Sequence, residues 1–151
     1  MTMADESDIR VTMRTQLNTV STLPDVSVNM LYENIPFDPP DIPDGVQETS
    51  IWIEERQRIL SENHTATQTL RTTGQTTYTF YTPKGAGTRD LEDLTKAVAE
   101  AFEPTNSLTG DVETIILLRT RRFPLSERED HPGWVFKSVT IDWDVFTSTT
   151  P

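Results

Sequence analysis

The chain has no cysteine among its 151 residues, which excludes a disulfide framework and a thiolate metal site and makes folding independent of redox compartment. Long hydrophobic runs are also missing. The longest extends only from Ile115 to Leu118, far short of the roughly 20 apolar residues a membrane-spanning helix needs. The polar, acidic start, Met1 to Asp8, offers neither a basic nor an apolar signal-peptide region, so no signal peptide is expected there. Positive charge is scarce: 13 Lys and Arg stand against 24 Asp and Glu, a net charge of −11. Gripping DNA requires clustered Lys and Arg to neutralise phosphates. A solvated, aggregation-resistant surface is the plain reading of such an acidic balance. Apolar residues make up 34% of the chain, low for a globular monomer. That value predicts short, loop-rich elements and a fold that leans partly on neighbouring subunits. The length fits one domain over 1–151, with 1–4 and 147–151 frayed.

Apolar spacing sets the expected elements. Ile9, Met13, Leu17 and Val20 form one stripe in a helix over 5–21, with Asp5, Glu6 and Asp8 at its start and Pro24 beyond its end. Alternation predicts a half-buried strand over 25–32, and four prolines between Ile35 and Pro43 fix a stiff, extended connection. Strands are expected at Thr49–Glu55 and Gln75–Thr82, and the polar stretch Arg56–Arg71 between them reads as a long hairpin or arm leaving the domain body. Thr88 is the expected N-cap of a second helix that buries Leu91, Leu94, Val98, Ala101 and Phe102 and stops at Pro104. Asp111–Phe123, apolar at its centre on both faces, is expected to be covered on both sides. A final strand, Trp134–Phe146, points Val135, Val139, Ile141, Trp143 and Val145 one way and Ser138, Thr140, Asp142 and Asp144 the other. The order α-β-β-β-α-β-β reads as an α+β fold with a mostly antiparallel sheet.

Chemical signatures are few. Gly85-Ala86-Gly87 precedes a helix, but Asp90 stands where the third glycine of G-x-G-x-x-G belongs, and acids crowd the first turn. A structural turn is the reading there. Asp142 and Asp144 share a strand face and raise the alternative of a small metal-dependent nuclease. His64 and His131 lie in unrelated loops, so solvated carboxylates are favoured, with no metal and no cofactor expected. A monomeric binding module is the other alternative. Arg119 and Arg121 share one strand face and Arg122 takes the other. Pairing with an acidic neighbour suits them better than nucleic acid, because arginine is favoured at interfaces.

Four motifs fall in one order: Glu33-Asn34-Ile35-Pro36-Phe37-Asp38-Pro39-Pro40, Leu70-Arg71-Thr72-Thr73-Gly74, Tyr81 through Arg89, and Gly133-Trp134. Together they resemble the tail terminator subunits of long-tailed bacteriophages, the group that includes the lambda-type minor tail protein U. The chain departs from that pattern around Asp38–Glu48 and Arg56–Arg71. The resemblance implies a virion protein, assembled in the host cytoplasm, without catalytic residues or cofactor. It implies a homohexameric ring at the head-proximal end of the tail, between the tail tube protein and the head-tail connector, through which DNA passes without specific binding. A neck protein or a tail tube subunit is the alternative within the same class. The subunit-interface candidates are Arg56, Arg58, Ile59, Leu60, Leu70, Arg119, Arg121 and Arg122. Asp38, Asp41, Asp44 and Glu48 are the candidates for an acidic lumen.

Overall fold

Asp5 starts the first helix, α1 (Glu6–Leu17): its side chain accepts from the Asp8 N–H at 3.0 Å, and Glu6 and Asp8 place negative charge in the first turn. Ile9, Met13 and Leu17 are fully buried. The helix ends earlier than its apolar stripe predicts, because Thr19 and Val20 donate to carbonyls three residues back and tighten the last turn. Thr12 and Thr15 bond carbonyls four residues back, spending their hydroxyls inside the helix. The structure, a computed structural model, describes residues 4–20, 30–31, 52–65, 69–83, 89–104, 107–111, 113–127 and 133–148. The proline segment, the Gly85-Ala86-Gly87 turn, His131, most of the strand expected over 25–32, and Asp38, Asp41, Asp44 and Glu48 lie outside the described residues.

The remaining elements are β1 (Met30–Leu31), β2 (Trp52–His64), β3 (Thr69–Pro83), α2 (Arg89–Ala101), β4 (Ser107–Thr109), β5 (Thr114–Arg122), β6 (Ser126–Glu127) and β7 (Trp134–Ser148). They form an α+β fold with one seven-stranded sheet in the order β1-β2-β3-β7-β5-β4, β6 pairing β7 beyond the end of β5. All pairs are antiparallel except β1 with β2. The expected order holds, with two short strands, β4 and β6, added inside what read as loops. The end of β7 also differs from the expected fraying: Thr147 pairs with Leu70 and donates to Glu113.

Both helices cover one face of the sheet. Leu91, Leu94, Val98 and Phe102, together with the α1 stripe, pack on Ile53, Tyr78, Phe80, Ile115, Leu117, Val139, Ile141, Trp143 and Val145. Ion pairing and side-chain capping fix α1 against the sheet. Arg14 grips the buried Glu55 carboxylate with Nε and Nη2, the shortest contact being 2.6 Å. Asp8 accepts the N–H groups of Asp111 and Glu113 at 3.1 and 2.8 Å, tying the helix to the β4–β5 turn.

Two β-bulges set the departures from expectation. The stretch after Arg56 is strand, not loop: β2 and β3 make a long hairpin paired from Trp52↔Tyr81 to His64↔Leu70, with one register shift at Leu60. The hairpin does not leave the body, since β3 pairs with β7 along its whole length. The second shift falls at Leu118 in β5. Before it, Ile115 and Leu117 face the core; after it, Thr120 does, donating to the Phe102 carbonyl at 2.6 Å. Consequently β5 is covered on one face only, and Ile116 and Leu118 each remain 41% exposed. That corrects the expectation of a doubly covered strand.

Candidate assembly surface

The sheet face opposite the helices carries a polar ladder whose rungs follow from strand parity. Cross-strand partners in an antiparallel pair share a face, so the register of β3 on β7 joins Thr79 to Ser138 at 2.9 Å, Thr77 to Thr140 at 3.0 Å, Gln75 to Asp142 at 3.0 Å and Thr73 to Asp144 at 2.6 Å. The flanking strands supply cations. From β5, past its bulge, Arg119 and Arg121 reach Asp142 at 3.1 and 3.2 Å. Within β3, Arg71 reaches Asp144 at 2.8 Å. From β2, Arg56 pairs with Glu54 at 3.2 Å, and Arg56 and Arg58 line a shallow concavity of about 290 Å³ with Gln75, Thr77, Thr79 and Phe136. At one end of this face Trp52 and Tyr81 stack at 3.9 Å, with the Trp134 ring edge-on at 5.9 Å. Gly133, in the left-handed region at φ 85°, turns the chain into β7 beside that cluster.

The carboxylates are not the solvated pair expected from sequence. Asp144 is buried and held by Arg71 and Thr73; Asp142 is held by Arg119, Arg121 and Gln75. A divalent ion would have to displace guanidinium groups from both, and among the described residues no group of three or more potential ligands converges on a metal position. What this face displays is ion pairing and hydrogen bonding. Among the described residues no helix is long and apolar enough to cross a membrane.

The expected interface residues separate. Arg56, Arg58, Leu60, Arg119 and Arg122 are exposed, Arg121 partly so, and Ile59 packs partly against the core. Leu70 is corrected: it lies on the core-facing parity of β3 opposite Thr147, only 2% exposed, and offers nothing to a neighbour. Arg119 and Arg121 each reach an acid, Asp142, within their own chain. Sequence reasoning missed Arg71, Ile116, Leu118 and Phe146 as surface features. The signal for Arg71 was its polarity in a segment read as loop; for the other three only the bulge and register reveal exposure.

No protein-family model and no curated protein matches the sequence. Solved structures match the fold. One chain, from the virion of a native gene transfer agent particle, aligns over 96% of this chain and 99% of its own, with a TM-score of 0.62 at 12% identity. Another solved chain aligns over 95% of this chain and 96% of its own, with a TM-score of 0.64 at 11% identity. At that identity the likeness establishes a shared fold along nearly the whole of each chain.

Proposed function

We propose that the protein is a structural virion subunit of the tail terminator type: it forms a homohexameric ring on the head-proximal end of a tail tube, stops tube polymerisation and joins the tail to the head connector. The observation that carries this reading is the near end-to-end fold likeness to a chain of a virion particle. The four terminator-like motifs, in order along the sequence, narrow it from virion protein to terminator. A sheet face bearing exposed Ile116, Leu118 and Phe146 fits a subunit that completes its surface by assembly. Native mass spectrometry and negative-stain electron microscopy test the proposal. Discrete six-subunit rings are the expected result; filaments would reassign the chain as a tube subunit, and a single-subunit mass at micromolar concentration would overturn assembly altogether.

Six copies of a chain carrying −11 would make a strongly acidic ring, and like charge repels phosphate over about 8–10 Å at physiological salt. Asp38, Asp41, Asp44 and Glu48 are the proposed lumen charges. Replacing all four by Asn or Gln should preserve rings while causing them to retain DNA at low salt. Unchanged DNA retention would remove these residues from the lumen and leave the terminator reading in place.

A further inference from the structure

On the sheet face opposite the helices, Arg56, Arg58, Arg71, Arg119 and Arg121 point outward, with side chains of Arg56, Arg71 and Arg119 exposed by 54, 47 and 63%. Their acids, Glu54, Asp142 and Asp144, lie beneath them with side chains only 8, 15 and 4% exposed. A partner approaching this face therefore meets guanidinium groups first, although the chain as a whole is strongly acidic. The outer stripe of α2 shows the reverse, although α1 in the same layer carries the partly exposed Arg10 and Arg14. Among the described side chains of α2 and the turn after it, Glu92, Asp93, Glu100 and Glu103 are exposed and Lys96 is the exposed cation.

We infer that the arginine-bearing sheet face of one copy docks on the acidic α2 stripe of the next copy. The occupant is a second copy because the complementary charge is already present on the chain, on a different surface from the arginines. A contact between two different patches is heterologous, and heterologous contacts propagate into rings when the rotation between copies closes. Exposed Ile116, Leu118 and Phe146 on the same sheet face supply apolar area at the contact. Arginine suits the role because its planar fork meets carboxylates in bidentate fashion. This assignment rests on the ring reading above and names the two surfaces that would build the ring.

Two double variants test it. Arg58→Glu with Arg119→Glu turns the sheet face acidic and leaves Asp142 its contacts with Arg121 and Gln75. Glu100→Arg with Glu103→Arg turns the helical stripe basic. Circular dichroism and thermal melting first establish that each variant is folded. Each alone presents like charges at every contact and is expected to lose the assembled species in native mass spectrometry. Mixed in equal amounts, each acidic sheet face meets a basic stripe and each wild-type sheet face meets a wild-type stripe. The mixture should regain assemblies that contain the two variants alternately, three of each in a hexamer.

Wild-type protein that assembles while both folded variants also assemble alone would overturn the surface assignment and leave the ring reading standing. Failure of the mixture to reassemble would overturn it as well. A monomeric wild-type protein would sink the ring reading itself. If the arginine variant instead loses DNA retention with assembly unchanged, the face is a nucleic-acid surface and the inference is wrong.

Discussion

Replacing Phe102 by alanine should lower the unfolding free energy by about 3–5 kcal/mol, a large share of the roughly 5–15 kcal/mol that holds a domain together. The ring is fully buried just beyond α2, tilted against Tyr78 at a centroid distance of 6.1 Å. Its backbone is anchored independently: the N–H donates to Val98 and Ala99 carbonyls, and the carbonyl accepts from Thr120. Those bonds survive the substitution, so the helix end cannot easily move inward and the vacated volume persists as a cavity. For a chain of this size the loss corresponds to a fall of about 6–20 °C in melting temperature. Val11→Ala is the control, since Val11 is 58% exposed on α1 and surface changes usually stay within about 0.5 kcal/mol. Any loss of assembly with Phe102→Ala would follow from the weakened fold, since Phe102 is fully buried. A Phe102→Ala protein melting with the wild type would refute the packing of α2 on the sheet.

The helical half of the fold was legible because both apolar stripes keep the helical period without interruption. Every residue of the α2 stripe except Ala101 is fully or almost fully buried, and Ala101 is half-buried. β7 was legible for the matching reason: it alternates without a bulge over most of its length, and Val139, Ile141, Trp143 and Val145 all reach the core. The misreadings have a common cause. A bulge shifts the period by one residue, so Ile59 and Leu60 obscured the strand character of 56–64, and Ile115 to Leu118 imitated a strand buried on both faces. The assembly surface was half legible. Parity alone put Asp142 and Asp144 together, as it did Arg119 and Arg121. What joins them is register: Gln75 lies 67 residues from Asp142, and Arg71 lies 73 from Asp144. Nothing in a single sequence states which residues two strands bring opposite each other over such separations.

The layer architecture also explains how one acidic chain can carry a cationic face. Burying carboxylates beneath arginines removes acid from the outer sheet surface without changing the net charge. Each of the three acids beneath this face keeps at least one guanidinium partner: Glu54 has Arg56, Asp142 has Arg119 and Arg121, and Asp144 has Arg71. An unpaired buried carboxylate would be destabilising, whereas a paired and hydrogen-bonded one is tolerated. The arginines are thus held by intramolecular bonds while their remaining donors stay outward, a preorganised array that loses little side-chain freedom on docking.

Gly74→Ala should destabilise the protein although an alanine ordinarily suits a strand better than a glycine. Gly74 lies in the middle of β3, opposite Trp143 on β7. A Cβ there would sit 2.4 Å from both Cη2 and Cζ2 of Trp143 and 2.9 Å from the Arg58 carbonyl oxygen. Neither neighbour can yield easily. The indole is fully buried in the core and its Nε1 donates to Thr76 at 3.0 Å; the carbonyl belongs to the paired strand β2. Restricting the unfolded chain by a Gly→Ala change stabilises by about 0.4–1 kcal/mol, while overpacking a core destabilises by typically about 1–3 kcal/mol. With three contacts below 3.0 Å, sterics should win, giving a net loss of about 1–2 kcal/mol by that balance. Trp143→Phe removes the two offending carbon atoms. In a double-mutant cycle, Gly74→Ala should therefore be less damaging in the Trp143→Phe background, with a coupling of about 0.5–3 kcal/mol. Urea unfolding of the four proteins reads this directly. Additive effects, or a stabilising Gly74→Ala, would show that the glycine is not there to admit the indole.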